Sequence, residues 1–140
     1  ARPGQAAECY TEALRLERQW GDQASVARAH ARARTLLGLA QIEIDGKIKA
    51  GYLAEALPLA EHAHRLAPQQ VDGAVLLAKI LAERQALPNP QETSRSSWRR
   101  IAALLSPFSE NQRLSGSPSG RRLLDRARRE LANMGQQPQP

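Results

Sequence analysis

Residues 53–81 read LAEALPLAEHAHRLAPQQVDGAVLLAKIL, and two interlocking spacings run through them. The first is Ala56-x3-Ala60-x2-Ala63-x4-Pro68; six residues beyond that proline begins the second, Ala74-x2-Leu77-Ala78-x2-Leu81. Steps of three and four residues place each set on one face of an α-helix. The first face is made of small side chains, which let a neighbouring helix lie close, and Pro68 punctuates its end. A helix is therefore expected from Leu53 to Leu66, with Leu53, Ala56, Leu57, Ala60, Ala63 and Leu66 turned inward. Pro58 is placed in its first turns, where a missing N–H costs little. A second helix is expected from Gln70 to Gln85, and Val75, Leu76 and Ile80 make it apolar on most sides. Such a helix is either buried on both faces or covered on one by a partner.

The rest of the chain is built from the same material. Of 140 residues, 41% are hydrophobic and 24% charged, the balance of a globular chain, but only 4% are aromatic. Alanine and leucine dominate and β-branched residues are sparse, so the fold class is all-α. No run of about 18 apolar residues is present to span a bilayer. The opening Ala1-Arg2-Pro3-Gly4-Gln5 lacks the charged-then-apolar order of a signal peptide. Cys9 is the single cysteine, which excludes an intrachain disulfide. A cytoplasmic location is the default expectation.

Working outward, a first helix is expected from Gln5 to Gln19, with Ala6, Tyr10, Ala13 and Leu14 on one face, ended by Trp20-Gly21-Asp22. The next spans Gln23 to Ile44 through Val26, Ala29, Ala33, Leu36, Leu37, Ala40 and Ile44. Asp45 to Gly51 reads as an inserted or kinked connection. Beyond Leu87-Pro88-Asn89-Pro90, a spacing Trp98-x2-Ile101-Ala102-x2-Leu105 marks another helix. Ser106 to Gly120, rich in Ser, Pro and Gly, reads as a loop. A last helix from Arg121 to Met134 carries Leu123, Leu124, Ala127 and Leu131 inward, and the Gln-Gln-Pro-Gln-Pro tail is expected to be disordered. Two regions follow, helical hairpins over 1–90 and basic helices over 91–140.

The spacings of 56–68 and 74–81 resemble the second helix of one tetratricopeptide repeat and the first helix of the next. Ala6-x3-Tyr10-x2-Ala13 is similar to the second helix of a preceding unit, and Trp98 to Leu105 to the first helix of a later one. Ala6 and Ala56 are 50 residues apart, against about 34 in the repeat, which the connection at 45–51 accounts for in part. The resemblance implies antiparallel helix-turn-helix units in an α-solenoid of about six helices with a polar-backed capping helix at the end. It implies a scaffold or adaptor that binds a protein or peptide in a groove on the inner face of the helix over 70–85. The matching positions are Asp72, Val75, Lys79, Ala82 and Glu83, an apolar middle flanked by charge that suits an amphipathic helix or extended segment. Burial of Val75 and Ile80 against a neighbouring helix is the competing reading. A first helix without a preceding partner also admits self-assembly into a larger array.

Charge is concentrated at one end. Residues 1–90 carry 11 Lys and Arg against 10 acids, net +1, whereas residues 91–140 carry 9 against 4, net +5. Arg95, Arg99, Arg100, Arg121, Arg122, Arg126 and Arg129 form a candidate surface for nucleic acid or an acidic partner; a solvated capping face is the plainer account. Chemistry is not indicated. His62 and His64 are two apart on a helix and point in different directions, which does not suit one metal, so they are expected as surface or rim residues. Cys9 and His30 lack a third group to orient a base, and Cys9 is expected as a small buried thiol. Gly116 to Gly120 lacks the lysine and the preceding strand of a phosphate loop. No metal, cofactor or enzymatic activity is expected.

Overall fold

The computed structural model describes residues 6–13, 26–87, 94–110 and 113–136. Among them every regular element is helical and no strand occurs, in agreement with the all-α expectation. Residues 6–13 form α1; then come α2 (Val26–Ile42), α3 (Gly46–Leu66), α4 (Val71–Gln85), α5 (Ser94–Glu110), a 3-10 turn (Arg113–Gly116) and α6 (Pro118–Gln136). They fall into two compact units, Ala1–Pro68 and Gln69–Pro140. The break at Pro68, rather than near residue 90, groups α4 with α5 and α6 because those helices fill its apolar sides. The expected break at Trp20-Gly21-Asp22, the Pro88–Pro90 stop and the residues after Gln136 lie outside the described residues.

In the first unit, α2 and α3 pack along one another across the short connection 43–45, the geometry of an antiparallel helical hairpin. Their shared core is Ala29, Ala33, Leu36, Leu37 and Ala40 facing Leu53, Ala56, Ala60 and Ala63. With alanine on both sides the helices approach closely, and little volume is left to mispack. Against α2 lies Tyr10 of α1: a Cβ added at Gly38 would sit 2.7 Å from the ring carbon Cζ. Gly38 is thus the notch that admits the aromatic ring.

The segment 45–51 is not an inserted connection. Asp45 is the N-cap of α3, its Oδ1 accepting from Lys47 N at 2.9 Å and from Ile48 N at 3.2 Å, and the helix runs unbroken from Gly46. Capping by the carboxylate satisfies two of the free N–H groups of the first turn, a gain of the same size as the cost of the two glycines inside the helix. Pro58 consequently lies in the middle of α3, not in its first turns. It is solvent-exposed, so water can serve the carbonyl that its missing N–H leaves without an intrahelical partner. The same cap ends α2 early, at Ile42.

In the second unit, α5 packs against α4, α6 and the 3-10 turn. The core is formed by Leu77, Ile80 and Leu81 of α4, Trp98, Ile101, Leu105 and Phe108 of α5, Leu114, and Leu123, Leu124 and Ala127 of α6. Ser97 is buried among them, and Gln85 Nε2 donates to its Oγ at 2.8 Å, linking α4 to α5. The described residues of 106–120 are largely helical where a loop is expected: α5 continues to Glu110, held by the burial of Leu105 and Phe108, with Pro107 exposed near its end. α6 then starts at Pro118, earlier than Arg121. Gly120 N–H donates to Ser117 Oγ at 3.3 Å, and a proline at the first helical position has no N–H to leave unsatisfied.

Candidate functional site

Three surfaces carry the residues of interest. The first is α4, where Asp72 is exposed and Lys79, Ala82 and Glu83 are half-buried. Val75, the middle of the expected groove, is only 5% exposed. Its Cγ2 would lie 2.8 Å from a Cβ added at Gly120, so the first turn of α6 is seated on it. Ile80 is buried as well. The apolar centre of α4 is therefore occupied from within its own unit, and what α4 offers outward is Asp72, Lys79 and Glu83.

The second surface is cationic and belongs to α5 and α6. Leu123, Leu124 and Ala127 turn α6 inward, and Arg121, Arg122, Arg126, Arg128 and Arg129 are exposed on its other sides with Asp125 between them. On α5, Arg99 is exposed and Arg95 and Arg100 are half-buried. Two contacts tie the two helices together through an arginine of each. The Arg126 guanidinium lies over the Trp98 ring, 4.9 Å from its centroid, and Arg95 Nη2 donates to the Met134 carbonyl at 3.4 Å. The first is a cation–π contact that covers the indole, which is 4% exposed. Arg113, at the 3-10 turn, instead donates through Nη1 to the Gln69 carbonyl at 3.2 Å.

The third surface was not singled out from the sequence. At the α2–α3 hairpin tip, Ile44 is 97% exposed, Ile48 48% and Ile42 37%, bordered by Glu43, Asp45, Lys47 and Lys49. Ile44 had been expected on the inward face of α2, four residues beyond Ala40. The Asp45 cap takes the chain out of the helix before that residue, and its side chain leaves the core. The signal was present in Asp45-Gly46, a cap followed by a permissive residue, which dates the helix end to the isoleucine's own neighbourhood.

The ionisable residues considered for chemistry do not assemble into a site. His62 and His64 are half-buried on α3, within the surface-or-rim placement expected of them. Cys9 is exposed rather than a buried thiol, because α1 turns Tyr10 toward α2 at Gly38. Among the described residues, no three His, Cys, Asp or Glu side chains are grouped as metal ligands would be, and no helix is long and apolar enough to cross a membrane. Compared with protein-family models, with curated proteins and with solved structures, the chain matches none.

Proposed function

We propose that the chain is a protein-interaction module, an adaptor of tetratricopeptide-like helical hairpins working within a larger protein or complex, and not an enzyme. The observation that carries this reading is the isoleucine cluster at the α2–α3 tip. A fully exposed isoleucine forgoes about 2 kcal/mol of burial free energy, and a helical turn has no folding need for one there. An apolar centre with a charged rim is the composition of a protein-binding patch. The helical-hairpin arrangement of α2 and α3 supports the repeat-like architecture, and the inward burial of Ala56, Ala60, Ala63, Ala74, Leu77, Ala78 and Leu81 agrees with the spacings on which that likeness rests. The outward residues of α4 supply a second contact region for the same class of partner, with Lys79 at its middle.

Capture from nuclease-treated lysate by the wild type, Ile44→Asp and Lys79→Glu tests the proposal. Proteins retained by the wild type and lost from Ile44→Asp are the expected result. Loss from Lys79→Glu alone would move the binding surface to α4, and retention of the same proteins by all three chains would overturn both placements.

A further inference from the structure

The arginines of α5 and α6 do more than cap a polar end, and their arrangement is independent of the isoleucine tip. Arg122, Arg126 and Arg129 stand at i, i+4 and i+7 on α6, one stripe about 10 Å long at 1.5 Å per residue. The middle arginine is held in place by Trp98, and Arg95 reaches from α5 to the carbonyl of Met134 near the end of α6. The α5 flank that carries Arg95, Trp98 and, one turn on, Arg99 therefore runs alongside the stripe. A two-helix surface with five guanidinium groups results.

Two features select the kind of anion that fits. Trp98 and Phe108 are the aromatic residues of 69–140, and both are buried, so no ring is offered for a base to stack on. Asp125 is exposed on α6 within the arginine cluster, where it repels a continuous phosphate backbone yet can pair with a basic residue of a protein. The stripe repeats with the pitch of an α-helix, so a second helix laid along it can present one side chain to each arginine. We infer that the α5–α6 surface docks an acidic amphipathic helix of a partner protein, whose carboxylates at i, i+4 and i+7 meet Arg122, Arg126 and Arg129. Guanidinium groups suit this role because each can bind a carboxylate in bidentate fashion.

The probe is a fluorescein-labelled, alanine-based peptide of about 20 residues with glutamates at i, i+4, i+7 and i+11, read by anisotropy at near-physiological salt against the full chain. A scrambled peptide of equal charge and a DNA duplex of about 20 base pairs serve as comparisons. The striped peptide is expected to bind more tightly than both, and Arg122→Glu/Arg129→Glu to weaken it about tenfold or more. Both side chains are exposed, so helicity by circular dichroism should be unchanged, and Arg122→Gln/Arg129→Gln provides a milder variant with a smaller loss. Equal binding of the scrambled peptide, tighter binding of the duplex, or no measurable binding of the striped peptide would each overturn the inference.

Discussion

Two glycines inside helices show how much a single residue decides here. At Gly120 a methyl group would meet Val75 Cγ2 at 2.8 Å, Ser117 Oγ at 3.0 Å and Leu114 Cδ2 at 3.1 Å, whereas at Gly73, also buried, it would meet nothing within 4 Å. Gly120→Ala is therefore expected to cost about 1–3 kcal/mol by overpacking against a stiff β-branched side chain. Gly73→Ala should instead add about 0.4–1 kcal/mol by restricting the unfolded chain. Urea unfolding of the two variants checks both signs; a stabilised Gly120→Ala would mean that α6 is not seated on Val75. At this scale the sequence was informative where residues repeat: the seven alanine and leucine positions of the two opening spacings are buried, and Pro68 alone of the eight is exposed. It misled at Ile44, which continues the arithmetic of α2 but lies beyond the physical end of that helix.

Helix boundaries were set by caps more than by periodicity. Asp45 makes one helix stop and the next begin within the three residues 43–45, which exposes the isoleucines on either side. Replacing Asp45 by alanine removes the Oδ1 acceptor shared by two N–H groups of the α3 N-terminus and should cost about 0.5–2 kcal/mol. Hydrogen exchange of the Lys47 and Ile48 amides is the local readout: faster exchange is expected, and unchanged protection would show that the cap is not holding the turn. The same logic explains why composition suggests a loop over 106–120 where the described residues are largely helical. Ser, Pro and Gly signal loops when counted as composition, but Ser117 and Pro118 stand at the N-cap and first-turn positions where these residues start a helix. Composition does not show that Phe108 is needed in the core, and that burial carries α5 through Pro107.

For the molecule as a whole, the helical class, the excess of positive charge toward the C-terminus and the small-residue packing were legible from 140 letters. The grouping of helices was not. Periodicity gives the apolar face of α4 without saying what covers it; α5 and α6 do, and with Val75 enclosed, the tip isoleucines and the α5–α6 arginines are among the exposed features of the described residues, as is Leu66 at the end of α3, which the sequence reading places inward. The isoleucines and the arginines point to binding. The central claim is that the α2–α3 tip contacts a protein, and a photo-crosslinking amino acid placed at position 44, with Ala54 as an exposed control on α3, tests it most directly. The account predicts a discrete protein adduct from position 44 in nuclease-treated lysate and none of that mass from position 54. The same adducts from both positions, or none from position 44, would contradict it.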